Sequence, residues 1–498
     1  MAHAQTDGAP SSTAQGGTAM AATETAPTRT GGYEDIRAYM AALEQAGLLK
    51  HVSAPVDLKW EIGAIAARSL EQGGPALVFE NIKGYPGLPL VVNLVSNNKQ
   101  LGLAFGTDAD EAKIYQKLVD GMRNRIPSRI VSTGPVKEEI QSGDDVDLYT
   151  LPTPWWHEHD GGQYIATTAG LITRDPITGN LNMGSYRCMI KDKHTLSWSG
   201  GTRSRSNPSG GDHILMNEEQ GKATPVAIVL GMDPYLSLAT GSPVPPDEEG
   251  QTEYEAAGAW RGKATELVKC ETNDLLVPAN AEIVLEGEAV PNERTTEGPH
   301  GESTGFYGEN KAAFVIKINC VTHRRNPISY GLICQLIEDY PRQLFRSGSF
   351  LTRLQRETGM NNIREAYFPE VGRMGMMIVA ADIRDKDDPK RIMDAVWSLD
   401  HWRWVIVVDE DCDVRNWNDV MWRVVSAADP DQGEVLFGLQ HPAREAPRTD
   451  EDDYDPPRRG MGIDATMKFK DAHFPRVNKV SRELMNRAAA RWKELGLE

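Results

Sequence analysis

The sequence predicts a multidomain α+β chain, and three observations carry that fold class. Its 498 residues exceed what one ordinary core organises. Near both ends, helical periodicity alternates with short apolar runs, as in α/β packing. Between them, short β-rich runs separated by turns point to a small barrel. The expected organisation is a disordered tail over residues 1–32, an N-terminal α/β domain over 33–129, a central barrel over 130–328 and a C-terminal α/β domain over 329–498 with a terminal helix.

Each element has a local reason. Residues 1–32 mix Ala, Thr, Gly, Ser and Pro with almost no large apolar side chain, so burial cannot offset the entropy of ordering them. From Tyr33 the pattern changes: Ile36, Met40 and Leu43 recur at helical spacing and Gly47 follows as a stop. The apolar, partly β-branched runs at 76–79 and 88–95 read as buried strands, and 113–122 as a helix that Pro127 ends. In the middle, 165–173, 226–230, 282–286 and 313–321 read as strands, with Asp175-Pro176-Ile177-Thr178-Gly179-Asn180 as a hairpin connection. Residues 372–382 and 402–408 read as strands, and 387–397 and 416–427 as helices. The acidic, proline-bearing run 446–459 reads as a surface loop and 478–496 as an amphipathic helix.

Composition narrows the function. Hydrophobic content of 40% with 25% charged residues is ordinary for a soluble protein. A balance of 53 basic against 71 acidic residues, net −18, argues against a nucleic-acid surface or a general affinity for anionic membranes. The five cysteines (Cys188, Cys270, Cys320, Cys334, Cys412) form no CxxC pair, which fits a reducing cytoplasm rather than a zinc knuckle or a disulfide framework. No apolar run approaches the roughly 18 residues that span a bilayer, and the first 30 residues lack the apolar centre of a secretory signal.

The most informative segment is Glu297-Gly298-Pro299-His300-Gly301-Glu302-Ser303-Thr304-Gly305-Phe306-Tyr307-Gly308, two carboxylates in a glycine-rich turn. Pro299 fixes φ and the glycines admit unusual conformations, so the backbone can approach a ligand with both acids turned towards it. Neighbouring carboxylates in one pocket push each other's proton affinities apart, which suits a proton donor and an electrostatic partner. A solvated or helix-capping pair is the plain alternative. In Leu181-Asn182-Met183-Gly184-Ser185-Tyr186-Arg187, the arginine offers a planar, permanently charged fork for a carboxylate, or else sits on a solvated strand face.

Other motifs allow two readings. His157 and His159, in Trp155-Trp156-His157-Glu158-His159-Asp160-Gly161-Gly162, make an HxH pair that can bind zinc from one strand face, or belong to a loop lining a cofactor cavity. Asp409-Glu410-Asp411-Cys412-Asp413 follows a strand and precedes a helix, where acids commonly act as caps. On a helix, Arg342 and Arg346 share a side at i, i+4 and meet either solvent or an anionic substrate group.

The glutamate segment resembles the E-G-P-x-G-E-x-x-G signature of the UbiD family of decarboxylases, which use a prenylated flavin mononucleotide (prenylated FMN). Asn182 and Arg187 match that family's N-x-x-x-x-R spacing. Cys270-Glu271-Thr272-Asn273-Asp274-Leu275-Leu276-Val277-Pro278-Ala279 also reads like the family, as does Val226-Ala227-Ile228-Val229-Leu230-Gly231. Gly460-Met461-Gly462-Ile463-Asp464-Ala465-Thr466 resembles G-x-K-x-G-x-D-A-T with glycine in the place of the phosphate-binding lysine, and Arg459 or Arg458 is the candidate replacement.

The resemblance implies a central split β-barrel that binds flavin, and assembly as a homodimer or homohexamer. The implied reaction is reversible, non-oxidative decarboxylation of an aromatic, heteroaromatic or α,β-unsaturated carboxylic acid. Arg187 orients the carboxylate, Glu297 supports Arg187 and Glu302 protonates the product carbon. Asn182, His213 and Glu253 are implied ligands of Mn2+ (or Mg2+), with K+ as a further ion, and Asn182, Ser185, Arg187, His213, Glu253 and Arg459 as cofactor contacts. His213 as a surface-loop residue stays open. An oxygen-rich set with one imidazole suits these metals better than zinc. A flavin prenyltransferase is the implied cofactor supplier, and carbon dioxide the second product. The rivals are a metal-dependent hydrolase using His157 and His159, and a non-catalytic flavin-binding subunit of a carboxylase complex.

Overall fold

The computed structural model describes residues 32–200, 208–241, 244, 246, 250, 252–302, 305–333, 340–399, 402–442, 457–467, 475, 478, 480 and 482–497. The expected tail lies outside them except for Gly32, as does residue range 446–456 of the expected surface loop.

The chain folds as the expected multidomain α+β protein. In the N-terminal part, Asp35 caps the Ile36–Gln45 helix by accepting from the Ala38 amide, and Ile36, Tyr39 and Leu43 form its buried face. That helix and its neighbours Glu61–Glu71, Asn98–Phe105 and Glu111–Arg123 accompany a four-stranded sheet. Its order is Leu49–Val52, Ala76–Phe79, Leu90–Val92 and Ser329–Gly331. The last strand comes from residues that follow the central stretch 130–328 and pairs parallel to Leu90–Val92, so it ties that later part of the chain to the N-terminal sheet.

A buried carboxylate fastens the same seam. Glu282, fully buried, accepts at 2.7 Å from both Nε and Nη2 of Arg37 and at 3.1 Å from Arg324 Nη1. It also accepts the Ile328 amide at 3.0 Å. Removing one partner of such a group leaves the other as an uncompensated buried charge, so the network works as a unit.

The central domain is a curled nine-stranded sheet. Its axis is one long antiparallel hairpin, Ile283–Gly301 with Tyr307–His323. Sequence reading saw only 282–286 and 313–321 as strands there, because Pro291 and Asn292 interrupt the β pattern. The ladder continues past that interruption through a register shift between Ala289 and Arg294, and Asn292 adopts φ 59°. The expected strand 165–173 is likewise two, Tyr164–Ala166 and Gly170–Arg174, on different partners.

The C-terminal domain is a five-stranded sheet ordered Ile363–Tyr367, Met376–Ala381, Trp404–Asp409, Pro457–Asp464, Val435–Pro442, parallel through its three central strands. Helices Asp388–Leu399 and Trp417–Ala427 connect those strands, and the Tyr340–Thr358 helix leads into the domain. Residues 457–459, expected in a loop, begin a strand because they pair antiparallel to residues 440–442. The expected terminal helix over 478–496 is regular only over Arg482–Ala489. Among the described residues no helix is long and apolar enough to cross a membrane.

Candidate active site

Glu297 and Glu302 lie at an odd spacing, and on a regular strand residues five apart point to opposite faces of the sheet. The structure resolves this with a bulge. Glu297 pairs with Asn310 but His300 pairs with Gly308, so the first strand holds one residue more than its partner between the two pairs. Gly298 supplies the required backbone at φ 109°. What the sequence presents as a turn is therefore a bulged strand end, with the turn itself only beginning at Glu302. Gly308 opposite leaves room for the second acid: a Cβ there would come within 2.8 Å of Glu302 Oε1.

Both carboxylates consequently meet one guanidinium. Arg187 Nε lies 2.8 and 2.9 Å from the two Glu297 oxygens, and Nη2 donates to Glu297 Oε2 at 2.7 Å. Nη1 forms an ion pair with Glu302 Oε1. Exposure separates the acids: the Glu297 side chain is 0% exposed, Arg187 13% and Glu302 37%. Glu297 is thus the inner support of the arginine, and Glu302 stands on the open side. The side-on face of the guanidinium is taken by Glu297, so any further acceptor meets only the N–H groups that remain on Nη1 and Nη2.

A second cluster forms around the Leu181–Gly184 strand. The Asp175 carboxylate shapes the predicted hairpin by accepting the Ile177 amide at 2.7 Å and the Thr178 amide at 3.1 Å. The resulting register sets Thr173 opposite Asn182. Thr173 Oγ1 bonds His213 Nδ1 at 2.8 Å, so the histidine is oriented and its Nε2 is the nitrogen left for a ligand. His213 is 1% exposed on the Gly210–Glu218 helix, which Ser209 and Asp212 start with a capping box, and the surface-loop reading fails. Burial lowers its proton affinity, which favours the neutral imidazole.

Glu253 joins this cluster from the first turn of the Glu253–Arg261 helix, where the helix dipole favours an anion. It is 3% exposed and accepts the Met183 amide at 3.3 Å, one residue from Asn182. Asn182 Oδ1 is buried with no hydrogen-bond partner. An orphaned amide oxygen beside a neutral imidazole and a carboxylate fits an oxygen-preferring divalent cation. Among the described residues no trio of His, Cys, Asp and Glu alone offers a metal site. Ser185, in the same segment, donates its amide to Thr240 O at 2.8 Å.

The HxH motif lies in a loop, and among the described residues it forms no metal cluster with other His, Cys, Asp or Glu. His157 directs Nδ1 to Asp160 Oδ2 at 3.3 Å and packs its ring edge-on to His300 and Tyr307, while His159 stacks edge-on to Tyr307. Sequence reasoning passed over two neighbours, Asp160 and Tyr164. The Tyr164 hydroxyl donates to Pro299 O at 3.3 Å, and its ring packs on His300 at 4.1 Å. Burial, and then the adjacent Glu297 carboxylate, push the Tyr164 hydroxyl well above the usual phenol range.

His300 is 1% exposed and neither ring nitrogen has a hydrogen-bond partner. Burial, helped by the Arg187 charge, pushes its imidazole down to about 3. The unfolded chain binds this proton near pH 6.5, whereas the folded chain refuses it until about 3. Stability from this group is therefore complete above the unfolded value and is lost as pH falls through that window, by about 1.4 kcal/mol per pH unit. His300→Phe removes the titration and should make urea midpoints less acid-sensitive than those of the unsubstituted protein between about pH 6 and 4. Equal acid sensitivity would contradict it.

Three family models match the chain in order: the 3-octaprenyl-4-hydroxybenzoate carboxy-lyase N-terminal domain over residues 40–122, the Rift-related domain over 129–335 and the C-terminal domain over 344–465. The chain belongs to the UbiD family. Solved UbiD-class structures agree. Vanillic acid decarboxylase from Sedimentibacter hydroxybenzoicus, closed form, superposes at a TM-score of 0.81 with 27% identity, over 94% of this chain and 99% of that one. The UbiD-class enzyme HmfF from Pelotomaculum thermopropionicum, an evolved dimeric form in complex with prFMN, gives 0.75 and 28% over 91% and 100%. Apo 3,4-dihydroxybenzoic acid decarboxylase from Enterobacter cloacae, 22% identical, shares the fold at 0.76 over 92% and 99%.

In this UbiD carboxy-lyase, position 460, where the resemblance implies a lysine, has no room for one. A Cβ at Gly460 would lie 2.6 Å from Trp397 Nε1 and 2.8 Å from Trp402 O. Trp397 fills that face of the strand and donates to Trp402 O at 3.0 Å, so no longer side chain fits at 460. Arg459 sits in the Pro457–Asp464 strand, paired with Gln440; its side chain lies outside the described residues. Arg346 does not point to solvent, as one reading had it, but donates from Nε to Gly241 O at 2.9 Å; the side chain of Arg342 lies outside the described residues. The acids at 409 and 411 are not caps either. They pair with the buried Arg423, and Asn416 caps the helix that follows.

Proposed function

We propose that this UbiD-family chain catalyses the reversible, non-oxidative decarboxylation of an aromatic, heteroaromatic or α,β-unsaturated carboxylic acid with prenylated FMN. The observation that carries the reading is a single arginine, Arg187, clasped between a fully buried Glu297 and a half-buried Glu302. Loss of carbon dioxide from an sp² carbon leaves an electron pair that no protein side chain can accommodate, and prenylated FMN supplies the electron sink. The protein's own groups do the rest. Arg187 orients the departing carboxylate through the N–H groups that Glu297 leaves open. Glu297 fixes the plane of the guanidinium and balances its charge. Glu302, on the open side, delivers a proton to the carbon after carbon dioxide leaves.

Asn182, His213 and Glu253 would hold Mn2+ (or Mg2+) and through it the flavin phosphate; the unpaired Asn182 Oδ1 supports this. Ser185 belongs to the cofactor cradle in this reading, and Arg459 is the proposed phosphate partner in place of the lysine, with K+ a further ion of the site. The enzyme is proposed to work in the cytoplasm as a homodimer or homohexamer, with a flavin prenyltransferase as cofactor supplier. HmfF in complex with prFMN and vanillic acid decarboxylase are the relatives that support cofactor and substrate class.

The test is to co-produce the protein with a flavin prenyltransferase, identify the bound cofactor by absorbance and mass, and assay a panel of aromatic and unsaturated acids for carbon dioxide release. We expect prenylated FMN to copurify and at least one acid to be decarboxylated. Protein that binds the cofactor and turns over no acid would return the reading to that of a flavin-binding subunit. The hydrolase alternative has no supporting observation, since among the described residues no cluster of His, Cys, Asp and Glu is placed to hold a metal ion.

A further inference from the structure

We infer that Asp160 is a positioning residue for this reaction: it braces the bulge between Glu297 and Glu302, so that two acids at an odd spacing converge on Arg187. The inference rests on the function proposed above and adds a residue that touches neither substrate nor cofactor. Its starting point is a mechanical problem. A bulge is a local break in the ladder, and the strand end it sits on has lost the paired hydrogen bonds that would otherwise fix it. Something outside the hairpin must hold residues 298–301.

The 155–162 loop does so, and Asp160 is its centre. Its Oδ1 accepts the Gly301 amide at 2.9 Å, and its Oδ2 accepts the His157 amide at 2.9 Å. Trp155 anchors the loop by donating Nε1 to Asp160 O at 2.7 Å. The next residue, Gly161, donates its amide to Pro299 O at 2.7 Å. The two backbones are in direct contact there, since a Cβ on Gly161 would lie 2.0 Å from Gly298 O. The side chain of Asp160 is fully buried, with His300 Nδ1 3.7 Å from Oδ1. A carboxylate placed this way fixes the amide one residue before Glu302 and, through Gly161, the carbonyl two residues after Glu297.

A buried acid 3.7 Å from an imidazole also invites a catalytic reading, an Asp–His dyad. The geometry favours the brace: both oxygens already accept backbone amides, and His300 is shut away from solvent behind Tyr164. Asp160 therefore acts on the reacting groups through the main chain. Displacing Glu302 by as little as 1 Å is enough to cost a large factor in rate.

The experiment compares Asp160→Asn and Asp160→Ala with the unsubstituted enzyme, each loaded with prenylated FMN. Asparagine keeps one acceptor of the same shape, and alanine keeps none. The expected result is a kcat lowered about 100-fold in the alanine variant, with KM within about threefold and a smaller loss in the asparagine variant. Unchanged kcat in a folded alanine variant overturns the inference, as does a rise in KM alone. Amide hydrogen exchange supplies a readout that needs no turnover. In the FMN-bound asparagine variant the peptide covering residues 298–302 should exchange about tenfold faster, while the 181–184 strand is unaffected. Unaltered exchange at 298–302 overturns the inference even if no acid is turned over, whereas an inactive unsubstituted enzyme with the expected exchange change sinks only the proposed reaction. If the alanine variant does not fold, the asparagine variant decides by the same two readouts.

Discussion

Glu302→Gln is expected to abolish measurable decarboxylation, a loss of about 100- to 10,000-fold in kcat, while leaving flavin bound. The amide has nearly the same shape as the acid and can still accept from Arg187 Nη1, so the clasp survives and only the transferable proton disappears. Neither the inner pair of Arg187 with Glu297 nor the Asn182, His213 and Glu253 cluster is touched, so the absorbance of the loaded enzyme should not change. Carbon dioxide release and the flavin spectrum, measured on the same preparation, check both halves. A variant that retains more than a tenth of the rate would remove Glu302 from the proton-donor role.

Arg187→Ala should fail differently, in stability as well as in substrate handling. Glu297 is fully buried and the guanidinium is its charge partner. Removing the arginine strands a carboxylate in the interior, at a cost of about 3–5 kcal/mol. We expect a lowered urea midpoint together with a raised KM, because the carboxylate-orienting N–H groups are lost at the same time. The double variant Arg187→Ala, Glu297→Ala should recover much of the stability and none of the activity. If the single variant is as stable as the unsubstituted protein, Glu297 is not held by charge in the way its distances imply.

Much of this architecture is legible in the sequence because its determinants are local. Asp175 and Gly179 mark a hairpin within a six-residue window, and Ile36 with Leu43 marks the buried face of the first helix. Ala76–Phe79 is a strand for the same reason in sequence and structure, four apolar residues buried on both faces. The sequence turns both Glu297 and Glu302 towards one ligand, but the bulge that does so is not legible in this way. It depends on how residues 297–301 register against 308–310, and a bulge is a property of the pair of strands rather than of either one. Thr173 was hidden for a related reason, since its task is defined by the residue across the hairpin, Asn182, and by a helix 40 residues further on. Asp160 reaches across 141 residues to Gly301, a distance over which no periodicity carries information.

The packing of Trp397 over Gly460 ties two positions into one heritable unit. A lysine at 460 and a tryptophan at 397 cannot share that face of the sheet, so a side chain at 460 requires a smaller residue at 397. The first substitution in either direction passes through a form that either clashes or leaves a hole the size of an indole. The ring of Trp397 therefore closes position 460 to any side chain long enough to reach a phosphate.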